Sequence, residues 1–147
     1  MSNLQLTNDE KIFWADLVIY VEQEVKPKRT GFYIKDKGLK SFLRQNSIKL
    51  KWDRLSKLSF DKEPDEDTII FSTSKNTIAD LLCHLRNAFA HLYIEKDCNG
   101  DYILSDYYNR VLKMKGHIKP QLLFNLIDKI KATHSNKKGS QKIEPQN

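Results

Sequence analysis

The sequence predicts a mainly α-helical fold with one short β-hairpin set between its last two helices. Apolar residues recur at three- and four-residue steps in several segments, the signature of amphipathic helices. Helix-start chemistry stands at the head of the first and last of these segments, as a Thr7/Glu10 capping box and as Pro120. Between two runs of strand-forming residues lies Asn99-Gly100, a strong short-range hairpin signal. With 147 residues and 39% hydrophobic content, the chain can bury one core but hardly two, so a single domain over residues 1–133 is expected.

The first helix is expected from about Asn8 to Val25, with Phe13, Leu17, Tyr20 and Val21 turned inward and Pro27 ending it. A second helical pattern spans Leu39 to Arg44. A third is read from Ile48 to Leu58, where Leu50, Arg54, Leu55 and Leu58 stand at helical spacing. An acidic linker around Pro64 (Asp61, Glu63, Asp65, Glu66, Asp67) follows, and Ile69, Ile70 and Phe71 lead into the next helix. That helix begins near Ser74 to Thr77, where side-chain oxygens can accept from unpaired amides of a first turn. Tyr93–Asp97 and Asp101–Asp106 flank the Asn99-Gly100 turn. The last helix starts at Pro120 and carries Leu123, Leu126, Ile127 and Ile130 on one stripe. Residues 134–147 offer too little apolar surface to repay ordering and read as a disordered polar tail.

The net charge of +6 is unevenly placed: residues 26–58 hold eleven Lys or Arg against Asp36 and Asp53, a net +9, which leaves −3 for the remainder. Basic residues interleaved with Phe32, Tyr33, Phe42 and Trp52 suit an RNA partner, because cations neutralise phosphates and aromatic faces stack on unpaired bases. Lys49, Lys51 and Arg54 are the candidate RNA contacts of that stretch. Cys83 and Cys98 are too few for a disulfide framework or a zinc site, so no metal is expected. No signal peptide and no apolar run of membrane-spanning length is present, which reads as a cytoplasmic protein with no membrane partner.

The segment Leu81-Leu82-Cys83-His84-Leu85-Arg86-Asn87-Ala88-Phe89-Ala90-His91 is the richest in chemistry. Ile78, Leu81, Leu82, Leu85, Phe89 and Leu92 form its apolar stripe. Asp80, His84, Asn87 and His91 fall within roughly 60° of one another on the opposite side, which makes His84 a further candidate RNA contact. Arg86 lies about 140° from His91 on the same wheel, so one straight helix does not aim both groups alike. Arg-x-x-x-x-His spacing is weak by itself; the adjacent Asn87 and the small or apolar Ala88, Phe89 and Ala90 sharpen it.

In that form the segment resembles the HEPN superfamily, whose signature is Arg, a polar residue that is often Asn, three to five further residues, then His. The hairpin and closing helix that follow are similar to those of small stand-alone prokaryotic members, over residues 70–132. Leu92 stands where such proteins often have Gly. The resemblance implies a HEPN-like helical bundle and a homodimer whose two Arg-His sets make one composite cleft. It also implies a metal-independent endoribonuclease of the toxin or antiviral-defence kind, needing no cofactor and answering in some cases to an antitoxin protein. In such chemistry a base takes the ribose 2′-hydroxyl proton and an acid protonates the leaving oxygen, roles that suit His91. Arg86 would carry positive charge for the phosphate and Asn87 would orient His91. The alternatives are a non-catalytic HEPN dimerisation module binding RNA, nucleotide or a protein, and a small basic adaptor holding nucleic acid through residues 26–58.

Overall fold

A computed structural model describes residues 4–143, with side chains placed as far as His134. Four α-helices, α1 (Asn8–Tyr20), α2 (Lys37–Gln45), α3 (Thr77–Ala90) and α4 (Pro120–Ile143), accompany five strands. The strands are β1 (Lys49–Asp53), β2 (Thr68–Ser72), β3 (Ile94–Lys96), β4 (Tyr102–Tyr108) and β5 (Val111–Ile118). They form one sheet in the order β1-β2-β5-β4-β3, with β1 and β2 parallel and the remaining pairs antiparallel.

This α/β architecture overturns the expectation of a mainly α-helical, HEPN-like bundle carrying only a short hairpin. The expected hairpin exists as β3 and β4, but β4 turns again into β5 at Asn109 and Arg110, both in left-handed backbone at φ 50° and 67°. Such a two-residue turn matches the twist of paired strands and commonly takes Asn or Gly, so Arg110 hid it. In β5 the buried residues are Met114, Gly116 and Ile118, a period of two that faces one side of a sheet. The helix expected over Ile48–Leu58 is also corrected. Lys49–Asp53 pairs with Thr68–Ser72, and only Leu55–Lys57 makes a helical turn, of the 3-10 kind. At those positions the alternating Lys-Leu-Lys-Trp pattern prevails over helical spacing, because β2 offers a complete ladder of backbone partners.

The helices cover one face of the sheet. Ile69, Gly116, Leu104 and Ile94 align across β2, β5, β4 and β3. The side chains of that row are fully buried. A Cβ on Gly116 would stand 3.3 Å from Ile69 Cγ1, so glycine is what lets this row close up. The next row on the same face is Trp52, Phe71, Met114 and Asp106, which ends in a carboxylate directly beneath α3.

Helix α1 opens with the Thr7/Glu10 capping box and widens into a single π-turn, Val21–Val25, before Pro27. Leu17 and Val21 point inward as expected. Trp14 is the residue the sequence stripe left out, fully buried and donating from Nε1 to the Tyr102 hydroxyl at 3.2 Å. The stripe of α4 is buried as read. The helix continues past residue 133 to Ile143, and His134 stacks on Phe32 with ring centroids 4.0 Å apart. The expected polar tail spans 134–147, of which residues 144–147 lie outside the described residues.

Candidate functional site

Helix α3 carries the site. Its first turn is fixed by Asn76, whose side chain accepts from the Ala79 amide at 3.0 Å and donates to the Phe32 carbonyl. Asp80 is buried and gathers the preceding loop, accepting from Thr73 Oγ1 at 2.8 Å, the Ser74 amide at 2.9 Å and Arg29 at 2.7 Å. The first two turns of the polar side of α3 thus point into the protein rather than to solvent. Isolated acids are rarely buried, and Asp80 can be because each oxygen has a donor.

One turn on, His84 bridges three elements. Its Nδ1 lies 2.7 Å from Asp106 Oδ2 on β4, and its Nε2 lies 2.7 Å from the Ser72 carbonyl oxygen at the end of β2. Both ring nitrogens thus lie within hydrogen-bond distance of oxygen atoms of the sheet. His84 thereby ties α3 to the sheet through both ring nitrogens. Cys83 lies beside it, and burial pushes its thiol above the ordinary range despite nearby Arg29.

Arg86, Asn87 and His91 part company. Arg86 reaches Glu22 on the π-turn at 2.9 Å and donates to Asn87 Oδ1 at 3.0 Å, while its buried Nε has no partner. A hydrogen bond from Lys26, with charge from Lys26 and Arg86, lowers the Glu22 carboxyl below its ordinary range. Asn87 donates to Asp106 Oδ2 at 3.4 Å and does not orient the His91 ring. His91 caps the helix, its amide bonded to the Asn87 carbonyl at 2.9 Å, and its side chain is exposed. The chain then turns through Leu92 at φ 60°, with Leu92 N–H to the Phe89 carbonyl and Tyr93 N–H to the Ala88 carbonyl. These are the two bonds of a Schellman cap. Leu92 adopts the left-handed conformation that glycine usually supplies.

Two clefts flank the β4–β5 turn. One, of about 630 Å³, is lined by His91, Tyr93, Ser105, Tyr107 and Arg110 among others. The second, of about 380 Å³, holds Arg29, Arg54, Thr73, His84, Asn87 and Lys113. Arg54 therefore lies with the α3 polar face, whereas Lys49 and Lys51 sit on the exposed β1 edge beside a third groove. Arg29, Asp106, Tyr107, Arg110 and Lys113 were missed in the sequence. Only long-range pairing brings them to α3, and no local pattern marks them.

Asp97, Asp101 and His117 bring one oxygen or nitrogen each within 4.8 Å of one another. His117 Nε2 lies 3.1 Å from Asp101 and 3.3 Å from Asp97, within reach of both carboxylates. No helix among the described residues is long and apolar enough to cross a membrane.

Fold and site together define an α/β domain with an exposed histidine beside aromatic residues and a polar, cation-lined cleft under its central helix. Compared with protein-family models, with curated proteins and with solved structures, the chain matches none.

Proposed function

We propose that the protein is a metal-independent endoribonuclease in which His91 transfers protons and two copies complete one site. One observation carries this reading. Of the four histidines, His84, His117 and His134 are held by partners, and His91 alone is exposed with no side-chain hydrogen bond among the described residues. An imidazole so placed can meet a proton of a bound substrate. Arg110 lines the same cleft and supplies a fixed positive charge for the phosphate, with Tyr93 and Tyr107 offering stacking faces.

The step needs a base and an acid. His91 of one copy takes the 2′-hydroxyl proton; the oxygen attacks phosphorus, and the partner copy's imidazolium gives its proton to the departing 5′-oxygen. Products are a 2′,3′-cyclic phosphate and a 5′-hydroxyl end. Leu92 is 69% exposed, Tyr108 64% and Val111 47%, apolar surface that a second copy could bury. A toxin or defence role is the biological setting that the motif resemblance implies.

A second reading, a non-catalytic RNA-binding module, is favoured by one observation. Both terminal nitrogens of Arg86 are occupied within the chain, by Asn87 and Glu22. The test is incubation of wild type and His91→Ala with mixed-structure RNA in excess chelator, reading cut positions and end chemistry. Cleavage by wild type alone, with cyclic phosphate ends, supports the enzyme. Salt-dependent binding without cleavage by either protein selects the module.

A further inference from the structure

Outside both clefts, a groove of about 630 Å³ runs between α2 and β1. Lys35, Lys40, Arg44, Lys49 and Lys51 line it, and no carboxylate does. Among the described residues none of these five cations takes part in an ion pair. Lys51 also borders Asp61, Glu63 and Asp65 on its other side, whereas Lys35, Lys40, Arg44 and Lys49 repel one another, a cost that a polyanionic partner removes. The floor is apolar, from Ile34, Leu43 and Leu50.

Trp52 stands at the groove's end with 41% of its surface exposed. One side of its ring is supported by Phe71, at 6.2 Å between centroids, in the register position next to it on β2. Strand β1 is the sheet edge, so nothing in the sheet covers Trp52 from the other side. We propose that this groove binds a single-stranded nucleic acid, its phosphates lying along the five cations and an unpaired base stacked on Trp52. An acidic peptide would match the charge but has no use for an aromatic platform; a duplex hides its base faces. Arg54 follows Trp52 by two residues and lines the cleft beneath α3, so the strand is led toward the central helix. The groove shares no residue with the His91 cleft and binds whether or not the chain cuts RNA.

The test uses the full chain and a fluorescein-labelled 2′-O-methyl oligouridine of about twelve nucleotides, a length within the usual range for such grooves. Lacking 2′-hydroxyls, this probe cannot be cleaved by their attack, so binding and cleavage are read separately. By anisotropy, the Lys40→Gln/Arg44→Gln/Lys49→Gln variant should bind about tenfold or more weakly, and its log affinity against log salt should flatten by about 2, since each phosphate contact on a single strand adds ~0.7. The oligonucleotide should quench tryptophan emission in wild type and not in Trp52→Phe, because the other tryptophan, Trp14, is fully buried. Circular dichroism confirms that the variants fold. Unchanged affinity and slope in the triple variant overturn the proposal. So does equal affinity for a duplex of the same length, or equal competition by polyglutamate.

Discussion

Removing the Asp106 carboxylate tests whether the buried His84–Asp106 pair holds the site together. The His84 and Asp106 side chains are only 11% and 3% exposed and meet at 2.7 Å. Breaking a buried pair by deleting one partner usually costs ~3–5 kcal/mol, because the remaining group keeps its desolvation penalty. Asp106→Ala should fall at the low end, about 3 kcal/mol, since both residues border a cleft from which water can reach the freed Nδ1. In a domain of this size that is a drop of about 6–12 °C in Tm. His84→Ala should cost about as much, and the double variant less than the two together, with a coupling of about 2 kcal/mol. Asp106→Asn, which keeps an acceptor for Nδ1 but removes the charge, should lie between wild type and alanine. Urea unfolding followed by far-ultraviolet circular dichroism gives all four values on one scale. A cost below about 1 kcal/mol for Asp106→Ala, or strict additivity in the cycle, would refute the assignment of His84 as a tie between α3 and the sheet.

Two further predictions concern the helix ends. Leu92→Gly should raise stability by about 0.5–1 kcal/mol, because Leu92 is exposed at φ 60° and a non-glycine residue there costs roughly 1 kcal/mol or more; a lower midpoint in urea would contradict the Schellman geometry. Burial pushes the Glu10 carboxyl up, but hydrogen bonds from Lys96, Tyr102 and the Thr7 amide outweigh it, so it titrates below its ordinary 4.5. Its folded value is lower than its unfolded one, so its contribution is full above about pH 4.5 and fades as pH falls through the folded value. Glu10→Gln should therefore flatten the acid limb of a stability-against-pH curve below that point, and an unaltered limb would show that the carboxylate is not held ionised.

Local chemistry determined much of this protein. The Thr7/Glu10 box, Pro27, the start of α3 at Asn76, the turn at Asn99-Gly100 and Pro120 are each set by residues within a few positions of one another, so the sequence alone marks them. The stripe of α4 and the apolar side of α3 as far as Leu85 were legible for the same reason, whereas Leu92, read into the α3 stripe, lies beyond the helix end and is exposed. What tertiary structure decided is everything that depends on partners distant in the chain. Lys49–Asp53 is a strand because β2 pairs with it, and Val111–Ile118 because β2 and β4 flank it. The same holds at the site. Asp80, His84 and Asn87 share one face of α3 by periodicity, yet Arg29 and Asp106, 51 and 22 residues away along the chain, turn that face into a buried network. Periodicity sorts side chains by direction; only the packed sheet determines which of those directions meets water, and among the four histidines it leaves that position to His91.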